Sequence, residues 1–153
     1  MTNEKIKKLL YDYPKLRKWI ADYETDLENI REQLDKHYSV NASVISDMPR
    51  GTDISDKTFA AVERIDKLKI LYIEQADYVA NKLKKLYSDK QTVEGIFPVL
   101  NPTQQFIIEK RYFDRLNWDD VAELDTQKRV KRMILNEHGK MLNVICKKLK
   151  EGD

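Results

Sequence analysis

Five residues, Gln127, Lys128, Arg129, Lys131 and Arg132, stand within six positions and carry side chains that bond to bases and phosphates. Glutamine pairs bidentately with adenine, arginine with guanine, and lysine with guanine or a phosphate. From Thr126 to Lys150 there are eight Lys/Arg, completed by Lys140, Lys147, Lys148 and Lys150, against one acid, Glu137. That segment carries a formal +7 in a 153-residue chain whose total is +2. Residues 1–99 hold 17 Lys/Arg and 17 Asp/Glu, so the N-terminal part is neutral and is not the electrostatic footprint. Concentrated positive charge is what a nucleic-acid surface looks like, although a basic helix is more often only a solvated face.

Other chemistry finds little support. His37 and His138 are the only histidines, and no Cys or His pair has metal-ligand spacing. No glycine-rich phosphate loop is present. The carboxylates alternate with Lys and Arg at helical spacing, as on a salt-bridged surface. Asp119 and Asp120 read as first-turn helix charges, and His138, in line with Ile134 and Met141, as an edge-of-core residue. The expectation is a protein that is not an enzyme, with no catalytic residues, metal or cofactor. Cys146 excludes an internal disulfide, and its neighbours Met141, Leu142, Ile145 and Leu149 suggest a buried, reduced thiol. Without a signal peptide or a long apolar run, the chain is expected in the cytoplasm and not in a membrane.

Three helices are needed to position the basic residues. Asn101 and Gln104 have capping-box spacing and Pro102 suits the first helical position, so a helix is predicted from Pro102 to about Phe113. Phe106, Ile107 and Phe113 fall on its inner side. Asn117 can cap a short helix from Trp118 to about Leu124, with Trp118, Val121 and Ala122 on one apolar face. Asp125 or Thr126 can cap a long helix from about Thr126 to Lys148, with Val130 and Ile134 as inward anchors. A short helix followed closely by a longer one is the layout of a helix-turn-helix, whose second helix enters the major groove. Gln127, Lys128, Arg129, Lys131 and Arg132 then stand at the start of that second helix.

The run LNPTQQFIIEKRYFDRLNWDDVAE, from Leu100, resembles the start of region 4 of bacterial sigma-70-type factors. It is closer to the sigma-like C-terminal half of phage late-transcription regulators of the RinA/ArpU type. Leu100, Pro102, Ile107, Ile108, Arg111, Tyr112, Phe113, Trp118, Asp119, Asp120, Val121 and Ala122 carry the likeness. Val130, Lys131 and Arg132 resemble the start of that family's recognition helix. The chain departs from the pattern after Ala122, where the turn is about two residues shorter and lacks the usual glycine. Either the short helix ends early or the recognition helix starts late.

The rest of the chain reads as helical, with four Gly, four Pro and 35% charged residues in the whole sequence. A short helix is expected from Asn3 to about Asp12, broken at Tyr13-Pro14. A second runs from Lys15 to about Lys36 on a stripe of Leu16, Trp19, Ile20, Tyr23, Leu27, Ile30 and Leu34. His37 to Asp53 reads as a loop that nevertheless holds Val40, Val44, Ile45 and Met48; these either pack on the adjoining helices or make Ser43 to Gly51 a protein contact. A further helix, capped by Ser55 or Asp56, runs to about Ser88 with Phe59, Val62, Ile65, Leu68, Tyr72, Ile73, Val79, Leu83 and Tyr87 on its stripe. Lys90 to Val99, with Gly95 and Pro98, reads as a linker.

The expected architecture is therefore all-α. A long antiparallel, coiled-coil-like hairpin (1–89, loop about 39–54) and a linker (90–99) precede a sigma-region-4-like helix-turn-helix domain (100–153). The resemblance implies a phage or prophage transcription activator that binds double-stranded DNA at late-gene promoters and works with host RNA polymerase. The hairpin is suited to holding a partner, a second copy or the C-terminal bundle. A small terminase-like DNA-packaging adaptor, which forms rings, and a helical interaction module that no longer binds DNA are the other readings.

Overall fold

The computed structural model describes residues 1–46 and 56–152, and these are mostly helical, with no strand among them. Two long helices come first, α1 (Asn3–Ser46) and α2 (Asp56–Ile96). A single 3-10 turn, Phe97–Val99, leads into α3 (Pro102–Ile107), which continues as a π-helical segment, Ile108–Phe113. Helices α4 (Trp118–Leu124) and α5 (Lys131–Glu151) complete the chain.

The chain divides into two units, Met1–Lys18 with Leu86–Asp153, and Trp19–Lys85. In the second unit α1 and α2 run antiparallel. His37 stacks on Tyr72 with ring centres 5.5 Å apart, and Lys69 Nζ lies 4.0 Å from the Tyr38 ring centre. Asp26 and Ile30 line one shallow groove together with Gln75 and Val79. Ile20, Val79 and Leu83 are buried. Phe59, Ile73 and Tyr87, expected on the inner stripe of α2, are exposed instead. No helix among the described residues is long and apolar enough to cross a membrane.

The first unit holds the larger core. Ile6 and Leu10 of α1 and Val93 and Ile96 of α2 join Leu100, Ile107, Ile108, Tyr112, Val121, Ile134, Met141, Leu142 and Ile145 in one buried cluster. Three boundaries therefore differ from those read in the sequence. Pro14 does not break α1. Proline inside a helix removes a backbone bond at a cost of about 3 kcal/mol, but Leu10 and Leu16 are both buried. Burial of each stabilises by about 1.5–3 kcal/mol, enough to hold the helix through it. The expected loop from residue 37 is helical as far as Ser46. Positions 47–55, with Met48 and the Ser55 cap, lie outside the described residues, as do the side chains of Val40, Val44 and Ile45.

The third difference is the linker. Residues 90–96 are helical, Gly95 included, and Val93, Ile96 and Leu100 are buried. Gln105 Nε2 fastens the following turn by donating to the carbonyls of Phe97 and Leu100. The segment belongs to the core rather than joining two domains. Likewise the first 18 residues, expected in the hairpin, complete the C-terminal unit.

Candidate nucleic-acid interface

The scaffold under the basic residues is fixed first by local bonds. Asn101 Oδ1 accepts from the Gln104 amide at 2.8 Å, and Gln104 Oε1 accepts from the Asn101 amide at 3.3 Å, closing the capping box. Asn117 Oδ1 caps α4 by accepting from the Asp120 amide at 2.8 Å. The π-helical segment ends where Asp114 N–H donates to the Glu109 carbonyl and Arg115 turns left-handed at φ 57°. Helix α5 packs against α3 and α4, with Ile134, Met141, Leu142 and Ile145 buried on one side.

Of the expected helix-turn-helix core, Ile107, Val121 and Ile134 are buried, and Phe113, Trp118 and Ala122 pack half-buried around them. Val130 is the exception. It is 62% exposed, because α5 begins one residue later, at Lys131, and Val130 is its extended N-cap. Helix α5 thus starts late, and Gln127, Lys128 and Arg129 lie in the turn rather than on the helix.

Asp125 is the cause. Its buried carboxylate accepts from the Gln127 amide at 3.3 Å and the Arg129 amide at 3.0 Å, and its carbonyl accepts from the Lys128 amide. It caps a tight turn instead of a helix. Lys128 closes that turn in the left-handed region, at φ 54°. This is the region glycine enters most readily.

The basic residues then separate by role. Arg129 Nε lies 3.2 Å from Asp125 Oδ2, an ion pair without hydrogen-bond alignment, and its Nη1 donates to Thr103 Oγ1 at 2.9 Å. Its side chain ties the turn to α3. Lys131 Nζ lies 3.1 Å from Asp119 Oδ1, both side chains being well exposed. Gln127, Lys128 and Arg132 are exposed. Val130 offers no side-chain cap to the first turn of α5, whose N–H groups carry partial positive charge.

Behind the turn lies an aromatic cluster that the sequence did not reveal. The Tyr112 hydroxyl is 2.6 Å from His138 Nε2, and the Trp118 ring stands edge-on to His138 at 4.7 Å. Tyr11 from α1 packs on Tyr112 at 4.6 Å, and the Arg111 guanidinium sits 5.0 Å from the Trp118 ring centre. Burial, then the nearby charges of Lys7 and Arg111, push the His138 pKa down to about 4. Burial pushes the Tyr112 phenol up. Both groups are neutral at pH 7, and either neutral histidine tautomer completes the bond. The position of His138 between Ile134 and Met141 placed it near the core; its partner is a tertiary contact. Cys146 is half-buried, its thiol 3.3 Å from Asn3 Oδ1. Among the described residues no group of three His, Cys, Asp or Glu could hold a metal ion.

Comparison with known proteins returns no matching family, no matching curated protein and no matching solved structure.

Proposed function

We propose that the chain is a DNA-binding transcription activator of a phage or prophage. On this reading it acts on late-gene promoters with host RNA polymerase, in the bacterial cytoplasm, and catalyses nothing itself. The observation that carries it is the arrangement of charge around α5. The apolar side of α5 is closed against α3 and α4, while Lys128, Arg132, Lys140, Lys147, Lys148 and Lys150 are all exposed. The residues behind the sigma-like resemblance support it too, since Ile107, Ile108, Tyr112 and Val121 form the core beneath that surface.

The test is retention of phage and genomic DNA fragments by the full chain as salt is raised stepwise. One fragment held at salt that strips the others, and mapping upstream of late genes, is the expected result. Lys128→Gln with Arg132→Gln should lower the log–log salt slope by about 0.9 for each phosphate left without its cation. Arg129→Gln should act differently. It leaves the buried Asp125 carboxylate without its cation, and should lower stability by up to about 3 kcal/mol. Unchanged salt dependence in the double variant refutes the assignment of Lys128 and Arg132 as DNA-binding residues.

The packaging-adaptor reading is kept because α2 exposes Phe59, Ile70, Leu71, Ile73 and Tyr78, a surface suited to self-association through the hairpin. Ring-sized oligomers, with a retained fragment at a packaging site, favour it. No retention at any salt leaves the helical interaction module.

A further inference from the structure

One feature of α5 has no explanation in its packing. Gly139 lies inside the helix and exposed, and a Cβ built on it meets nothing within 4 Å. Glycine within a helix is destabilising relative to alanine, and no neighbour here requires its small size. At about 100° of rotation per residue, Arg132, Asn136, Lys140, Asn143, Lys147 and Lys150 fall with Gly139 inside an arc of about 100°. All of them are exposed, on the side away from Ile134, Met141 and Ile145. The stripe runs for about 27 Å along the helix. It combines four cations with two amides, and Gly139, at one edge of the arc and near the middle of its length, leaves that edge without a side chain.

We propose that this stripe, rather than the start of α5, is the edge that reads double-stranded DNA. The inference rests on the DNA-binding reading above. The major groove is wide enough to admit an α-helix, and along the edge of the stripe held by Gly139 no side chain separates the α5 backbone from the groove. Asn136 and Asn143, about one turn to either side, are placed for bidentate bonds to adenine. Arg132, Lys140, Lys147 and Lys150 flank them for guanine edges and phosphates. Lys140 lies 3.4 Å from Glu137 Oε1 in an exposed pair that a phosphate can displace. At the start of the helix Arg129 is taken up by Asp125 and Thr103, while Lys131, in an exposed pair with Asp119, is as displaceable as Lys140.

The experiment is selection from a random duplex library by the full chain, followed by affinity and melting measurements on variants. Gly139→Ala and Gly139→Leu both raise the melting temperature, since each replaces an exposed helical glycine with a better helix former. On the proposal, Gly139→Leu weakens binding to the selected site at least tenfold and Gly139→Ala does so less. Asn136→Ala and Asn143→Ala each relax the preference at one base position and leave low-salt binding to unrelated DNA unchanged. Wild-type affinity in Gly139→Leu, with an unaltered site preference in both asparagine variants, overturns the proposal. If Lys128→Gln then still reduces retention, DNA binding stands and another surface reads the site. If the wild-type chain retains no DNA at the lowest salt, both readings fall.

Discussion

Protonating His138 places a charge beside Lys7 and Arg111, in a site already largely closed to water. An ordinary histidine titrates near 6.5, and burial holds this one down to about 4. The unfolded chain therefore binds the extra proton between those two values and the folded chain does not, so stability falls as the pH drops through that window. It is fully present above about 6.5 and lost progressively toward 4, by at most about 3 kcal/mol and by less as solvent screens this half-buried group. Thermal melting followed from pH 7 to pH 4 should show the loss. His138→Gln keeps a partner for the Tyr112 hydroxyl and does not titrate, so its melting curve should fall less steeply over the same range. Parallel curves for the two proteins would assign the acid sensitivity to the carboxylates. The apolar spacing around His138 was readable in the sequence because Ile134 and Met141 lie on the same helix. Its bond to Tyr112 spans 26 residues, and no local pattern encodes it.

At the scale of the element, the turn between α4 and α5 decides where the basic side chains point. Lys128 sits at φ 54°, a conformation that strains a residue with a Cβ by roughly 1–2 kcal/mol. Glycine relieves that strain but adds about 0.4–1 kcal/mol of unfolded-chain entropy. Lys128→Gly should therefore melt at or slightly above the wild type, whereas Lys128→Val, branched at Cβ, should melt clearly below it. Equal melting of the two variants would mean that the turn does not hold this conformation in solution. Caps show what local sequence can say about such elements. Asn101 and Asn117 lie beside the amides they satisfy, and their spacing was enough to place α3 and α4. The start of α5 differs from its sequence pattern for a physical reason. Asp125 has the residue type of a helix cap, but its carboxylate is buried and its amide partners are Gln127 and Arg129. Arg129 is drawn away from the helix by Thr103, 26 residues earlier. Val130, next to it, is the exposed N-cap of α5 rather than an inward anchor.

The whole molecule is partitioned differently from its apparent modules. The expected C-terminal domain begins at Leu100, yet the core beneath it is completed by Ile6 and Leu10 from α1 and by Val93 and Ile96 from α2. Sequence patterning showed that those helices were amphipathic, but not which core their ends would enter, since a stripe of leucines and isoleucines is the same whatever it faces. Burial of one such side chain stabilises by about 1.5–3 kcal/mol, so the four together are comparable with the roughly 5–15 kcal/mol that holds a domain folded. A fragment of residues 100–153 should therefore be unfolded or molten, with weak helical circular dichroism and poorly dispersed amide resonances. A chain in which residues 19–85 are replaced by a short Gly/Ser connection should keep a cooperative melt, because it retains every residue of that core. The two helices are neighbours within this unit, where Tyr13 Oη lies 3.5 Å from Glu94 Oε1. A well-dispersed spectrum from residues 100–153 alone would move the boundary back to Leu100. Alternatively, loss of folding in the shortened chain would show that residues 19–85 contribute to the stability of the C-terminal unit as well as to any partner they hold.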